Sequence, residues 1–269
     1  MPWDKLLYPA INLASLGYPL DYFNVYILNS DNYKNKLSSD IETKKIFSKK
    51  DSYKVGDIFV QKDLSNTLKR IADFGYNEFY IGKTADKIIN CMNRTGGIIS
   101  YDDLKNYKPI FREPINFTYR DYNIYSMPLP SSGGITLANI LNQIENVDLN
   151  SLGFQSSEHV HYMVEAEKRA YADRALYLGD IDFVEVPVNK LISKEYAYNR
   201  FNYSSSHLST SSYDLYDTLN FIDDESEETT HYSIVDKFGN AISVTTTLNG
   251  WYGNGITVDG AGFLLNNEM

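Results

Sequence analysis

A threonine at the start of a strand, directly after a mobile polar segment, meets the needs of an N-terminal nucleophile. Residues 225 to 249 of this 269-residue chain read E-S-E-E-T-T-H-Y-S-I-V-D-K-F-G-N-A-I-S-V-T-T-T-L-N and contain that arrangement at the Glu228–Thr229 junction. Cutting that bond would give Thr229 a free α-amine, whose pKa of about 7.7–8 suits a base at neutral pH. The amine lies close to its own hydroxyl, directly or through one water, so a single residue supplies nucleophile and base. Thr247, on the strand expected to pair with this one, can reach the Thr229 hydroxyl or amine. Spacing alone does not single out this chemistry, because a threonine-rich strand is ordinarily only a strand. An acidic linker likewise ordinarily joins domains, although one that runs into a compact strand can also be a cleavage site.

Other reactive side chains read more plainly. His159, His161, Glu165 and Glu167 share a helical stretch, but His159 and His161 lie two apart and point about 200° apart around a helix. They make a poor metal pair and are expected at the surface. Cys91 is the single cysteine, which excludes an internal disulfide and a cysteine-based zinc cluster. It is expected in the core. Ser131-Ser132-Gly133-Gly134 opens a helix and is either an anion-binding turn or a tight strand-to-helix connection. A net charge of −10 excludes attraction to nucleic acid or anionic membrane through bulk electrostatics. No run of about 18 apolar residues is present, so no transmembrane helix is expected. The N-terminus does not read as a signal peptide. No cofactor or metal is called for. Both ends look abrupt, which reads as a fragment.

The elements that must position these residues follow from periodicity. Residues 4–16 suit a helix interrupted near Pro9 and stopped by Gly17. Residues 18–62 are mixed, with a lysine-rich solvated face at 44–54. Asp63 is expected to cap a helix striped by Leu64, Leu68, Ile71 and Ala72. A short turn or helix at 77–81 precedes another helix from Thr84, with Ile88, Ile89 and Met92 on one face, ending at Gly96-Gly97. Residues 115–127 alternate on both sides of Arg120-Asp121, as a β-hairpin does. Ser157 is expected to cap a helix to residue 177 that buries Val160, Met163, Val164, Ala170 and Leu176. Residues 203–228 read as a low-complexity acidic linker. A second hairpin is expected around Asp236–Asn240, with Ala241–Leu248 returning. A flexible glycine-rich region follows, and Phe263-Leu264-Leu265 begins another strand.

Several stretches together resemble one family. T-T-H-Y-S-I-V-D-x-x-G-N-A-I-S-V-T-x-T-L-N and then G-x-L-L-N-N-E-M look like the start of the small subunit of γ-glutamyltransferase (glutathione hydrolase). I-Y-S-M-P-L-P-S-S-G-G, E-A-E-K-R-A-Y-A-D-R-A-L-Y-L-G-D and M-P-W-D-K-L-L-Y-P-A-I-N-L-A resemble its large subunit. The likeness spans nearly the whole chain. It implies an α+β Ntn-hydrolase fold, an αββα four-layer sandwich, incomplete here at its C-terminal end. It divides the chain into a mostly helical large-subunit-like region (1–202), the linker (203–228) and a small-subunit-like β region (229–269).

The resemblance also implies function. Thr229 would cleave the Glu228–Thr229 bond and then attack glutathione or another γ-glutamyl amide. The glutamyl group would pass to water or to an amino-acid or peptide acceptor. Thr247 would orient Thr229, and Asn249 and Glu268 would hold the donor's α-amino group. The family's compartment is periplasmic or extracellular. Its donor-carboxylate Arg lies upstream of the matched start, and a further acid, a Ser pair and a Gly-Gly oxyanion hole lie beyond residue 269. Loss of oxyanion donors alone lowers a rate by about 10²–10³, so weak or absent turnover is expected of these 269 residues. The competing expectations are a non-catalytic remnant of the family and a related Ntn amidase such as a cephalosporin acylase. Glu268 and the T-x-T-L-N spacing favour glutathione chemistry over the latter.

Overall fold

The computed structural model describes residues 1–202, 208–215 and 229–268. The chain divides into two compact units, one made of Met1–Lys108 with Asp223–Met269, the other of Pro109–Ile222. Helices and short antiparallel strand pairs mix throughout, as the α+β class requires. Every sheet among the described residues has two strands.

The first unit opens with α1 (Trp3–Leu16), which continues through Pro9 and stops at Gly17, φ 84°. Contacts on both sides of the proline carry the helix across it. Trp3 Nε1 donates to the Ile71 carbonyl at 3.0 Å, and Ser65 Oγ donates to the Ile11 carbonyl at 3.3 Å. β1 (Tyr18–Pro19) follows, then three short helices, α2 (Tyr22–Asn29), α3 (Asp31–Ser39) and α4 (Ile41–Phe47). Asp21 and Asp40 cap α2 and α4 with their carboxylates. β2 (Ile58–Phe59) pairs with β1.

Helix α5 (Lys62–Phe74) starts one residue before the expected cap. Gln61 is the N-cap, and Asp63 sits in the first turn, where its charge faces the positive end of the helix. Its fully covered side chains are Ser65 and Thr67, with the expected apolar stripe only half-buried. α6 (Tyr76–Tyr80) and α7 (Lys83–Thr95) match expectation, α7 ending at left-handed Gly96. α8 (Tyr101–Asn106) carries a capping box between Ser100 and Asp103.

In the second unit, β3 (Ile115–Tyr119) and β4 (Tyr122–Ser126) form the expected hairpin, with Arg120 at φ 52° in the turn. α9 (Gly133–Ile144) packs close behind it. A Cβ on Gly134 would lie 2.2 Å from the Met127 carbonyl oxygen, so this glycine is required for close packing. Arg174 Nε donates to Ser132 Oγ at 2.9 Å. The serine–glycine turn makes a tight strand-to-helix connection. α10 (Leu149–Leu152) leads to α11 (Ser157–Tyr177), whose N-cap is Ser156, one residue before the expected one.

The buried face of α11 differs from expectation. Val160, Val164 and Leu176 are exposed, whereas Glu165, Arg169 and Asp173 are buried. The i,i+4 pair Glu165–Arg169 closes at 2.7 Å, and Arg200 reaches Asp173 at 3.0 Å, so the buried charges are neutralised in place. α12 (Val188–Leu191), α13 (Lys194–Phe201) and α14 (Ser212–Leu215) complete this unit. Of the expected linker, only 208–215 is described, and Thr210 within it is bound to Glu165 through its amide at 3.0 Å.

The chain returns to the first unit as β5 (Thr230–Val235) and β6 (Ala241–Thr246). Cys91 is buried in this unit beside Ile88, Met92, Val258 and Ala261, as expected, and burial pushes its thiol pKa up.

Candidate functional site

The β5–β6 hairpin is closed by Asp236. Its carboxylate accepts the amides of Phe238 at 2.8 Å and Asn240 at 2.9 Å, while Gly239 takes φ 84°. This Asx turn fixes the register. Tyr232 faces Val244 and Ile234 faces Ile242 on one side; His231 faces Thr245 and Ser233 faces Ser243 on the other. Only Val244 is half-covered, so both faces of the hairpin are open among the described residues. On the polar face, His231 bonds Thr245 Oγ1 at 2.7 Å and Ser243 Oγ at 3.0 Å.

The register ends with Thr230 opposite Thr246. Thr229 and Thr247 are the next residues beyond that last pair. Both line a cavity of about 210 Å³ together with Thr230, Thr246, Leu248, Gly250, Trp251 and Tyr252. Thr247 Oγ1 accepts the Asn249 amide at 2.8 Å. Asn249 itself is left-handed, φ 72°. Glu228 lies outside the described residues.

The segment after Thr247 is anchored rather than flexible. Thr257, Val258 and Ala261 are buried, and the expected strand at 263–265 is reduced to one bridge, Thr257 to Leu264. Side chains of the helical core grip its backbone and hydroxyls. Thr43 Oγ1 donates to Thr257 Oγ1 at 2.8 Å, Thr67 Oγ1 to the Ala261 carbonyl at 2.8 Å, and Lys87 Nζ to the Gly260 carbonyl. Arg94 binds Asp40 and Asp259 at once. The glycines serve close approach. A Cβ on Gly253, at φ 55°, would lie 1.8 Å from the Leu265 carbonyl oxygen.

This anchoring brings the far end of the chain beside Asn249. The Asn267 amide donates to the Leu248 carbonyl at 3.2 Å, and the Gly250 amide donates to Asn267 Oδ1 at 2.7 Å. Asn267 thus holds both neighbours of Asn249. Glu268 follows it, exposed, its amide on Asn266 Oδ1 at 2.9 Å. The structure brings Thr229 and Thr247 onto one cavity and ties Asn249 and Glu268 to one junction; neither of the latter two lines the cavity. Sequence reasoning assigned no role to Asn267, Trp251 or the Asp40–Arg94–Asp259 clamp. Asn267 alone had a signal, in the N-N-E-M run.

Among the described residues, no three His, Cys, Asp or Glu side chains cluster as metal ligands, and no helix is long and apolar enough to cross a membrane.

Comparison with known proteins places the chain. A family model described as gamma-glutamyltranspeptidase matches residues 1–269. The glutathione hydrolase proenzyme of Escherichia coli (strain K12) is 42% identical over 271 residues, covering 100% of this chain and 46% of that protein. The chain thus spans about half the length of the curated relatives it matches. The crystal structure of Helicobacter pylori gamma-glutamyltranspeptidase is 40% identical, with a TM-score of 0.76 over 83% of this chain and 64% of that one. Cephalosporin acylase from Bacillus halodurans superposes with a TM-score of 0.82 at 25% identity, over 99% of this chain and 48% of that one. The fold is that of the Ntn hydrolases, and the chain belongs to the γ-glutamyltranspeptidase family.

Proposed function

We propose that the protein hydrolyses and transfers γ-glutamyl groups, and that Thr229 is the nucleophile, exposed by self-cleavage of the Glu228–Thr229 bond. The observation that carries this reading is that Thr229 and Thr247, the residues just beyond the last hairpin pair Thr230–Thr246, line one cavity. Relatives named glutathione hydrolase proenzyme support both the substrate class and the processing.

In the first step the Thr229 hydroxyl attacks the Glu228 carbonyl carbon. The C–N bond breaks, a C–O ester forms, and the hydroxyl proton passes to the freed amine. Water then opens the ester and leaves Thr229 as an N-terminus. In turnover the α-amine takes the hydroxyl proton as the oxygen attacks the donor's γ-carbonyl, and the proton leaves with the departing amine. Water or an acceptor amine, from an amino acid or peptide, then takes the glutamyl group from the ester.

Thr247 orients the nucleophile through its hydroxyl, itself fixed by the Asn249 amide. Asn249 and Glu268 hold the donor's α-ammonium, a cation that a carboxylate and an amide oxygen suit. The two cleavage products remain associated as large and small subunits.

The test is incubation of the purified chain, followed by denaturing gel and mass spectrometry. Pieces of 228 and 41 residues are expected from the wild type and none from Thr229→Ala. Persistence of the intact wild type, or equal cutting of the alanine variant, would refute the nucleophile. Release of the amine from a γ-glutamyl anilide by cut chain then tests the substrate class.

A further inference from the structure

Trp251 stands on the cavity of Thr229 and Thr247, in a stretch bracketed by two left-handed residues that carry side chains. Asn249 has φ 72° and Tyr252 φ 62°. Such conformations are disfavoured with a Cβ present and persist where surrounding structure imposes them, typically at functional sites. The surroundings here are specific. The indole meets Phe23 edge-on at 5.3 Å, and Lys36 Nζ donates to the Trp251 carbonyl at 2.9 Å. Tyr252 is wedged between Tyr33 and Phe47, with ring centroids 5.9 and 5.4 Å away. Trp251 as a whole is half-buried and lines the cavity.

The chemistry of the wall is equally specific. Among the described residues, it consists of threonine hydroxyls, Leu248, Gly250 and the two aromatic residues, with no charged side chain. Asn249 and Glu268, the candidates for the charged glutamyl end, are not on it. Apart from the Thr229 α-amine that cleavage would expose, this wall offers a zwitterion no charge, whereas it suits a flat apolar group. Its volume of about 210 Å³ is ample for one ring, since a cavity of about 150 Å³ holds benzene.

We propose that this cavity takes the amine half of a γ-glutamyl amide, and that Trp251 makes it select amines bearing an aromatic ring. The proposal rests on the reading of Thr229 as nucleophile for the reaction it serves, but not for the binding it makes. Glutathione, whose amine half ends in a carboxylate, would draw little from Trp251.

Binding of γ-glutamyl-p-nitroanilide and of glutathione is measured by equilibrium dialysis in a Thr229→Ala background, which cannot turn either ligand over, with Trp251 intact, Trp251→Phe or Trp251→Ala. Alanine should weaken the anilide about tenfold, the scale of one aromatic contact, and glutathione less than about threefold on the same scale. Phenylalanine, which keeps a ring against Phe23, should restore most of the anilide affinity. Trp3→Phe leaves Trp251 as the sole indole, and its emission should be quenched saturably by the anilide over the same concentration range as dialysis. Equal losses for both ligands in Trp251→Ala, emission unmoved while the anilide binds, or no anilide binding at millimolar concentration would each overturn the proposal. Neither readout needs turnover, so a chain that fails to cut itself still reports on the cavity.

Discussion

Replacing Arg94 by leucine should loosen the segment that carries Asn249, Trp251 and Glu268 while leaving the second unit unchanged. Arg94 on α7 bridges Asp40 and Asp259, and its Nη2 also donates to the Thr257 carbonyl at 3.3 Å. Removing one partner of a fully buried ion pair costs about 3–5 kcal/mol. Two features lower that figure here. The Arg94 and Asp259 side chains are 31% and 32% exposed, so Asp259 can regain water. Asp40 is buried but keeps the Thr43 amide at 2.9 Å and the Thr43 hydroxyl at 3.0 Å. The expected cost is therefore about 2 kcal/mol. Unfolding of the whole chain is a poor readout, because two units need not unfold as one. Hydrogen exchange followed by mass spectrometry resolves the segment directly, and about 2 kcal/mol corresponds to about 30-fold faster exchange. Peptides covering 256–265 should show it, with α11 peptides as the internal control. Arg94→Lys keeps the charge but loses the fork and should fall between. Exchange altered less than threefold at 256–265, or altered equally in α11, would refute the role of this clamp.

Two further outcomes follow from packing and titration. Gly253→Ala should cost at least about 3 kcal/mol, because its Cβ would overlap the Leu265 carbonyl and the backbone is left-handed; wild-type exchange protection at 256–265 in this variant would count against it. Burial opposes ionisation of Glu165, but hydrogen bonds from Thr210, Arg169 and Lys168 outweigh it and lower its pKa from 4.5 to about 2. The folded-state pKa is depressed, so this stabilisation is present above pH 4.5 and is lost as pH falls toward 2. It amounts to about 3 kcal/mol at most. Glu165→Gln should flatten the acid-induced loss of helical circular dichroism across that window, and an acid transition as steep as wild type would sink the assignment.

What the sequence makes legible here is whatever local chemistry decides. The Asp236 turn and the Gly96 stop each need one residue type at one position, the 115–127 hairpin follows from alternation on both sides of Arg120-Asp121, and each is where it was expected. The buried face of α11 was not legible because apolar periodicity is blind to charges that neutralise each other inside a unit. Glu165 and Arg169 look like a solvated i,i+4 pair until Thr210 and the Arg200 carbonyl are seen against them. The glycine-rich stretch after residue 249 failed for a related reason. Glycine signals either freedom or close approach, and only the partner decides which. At Gly253 the partner is Leu265, and at Gly262 it is the Leu64 amide, 2.3 Å from a built Cβ. The candidate site divides along the same line. Thr229 and Thr247 can be expected together from strand register alone, whereas Asn249 and Glu268 are drawn to one junction by Asn267, which holds Leu248 and Gly250, in a segment gripped by Asp40, Arg94 and Thr43, the last of these 214 positions from its partner Thr257. A site assembled by such remote grips is only as ordered as they are, which is why the Arg94 substitution bears on Asn249 and Glu268 although it touches neither.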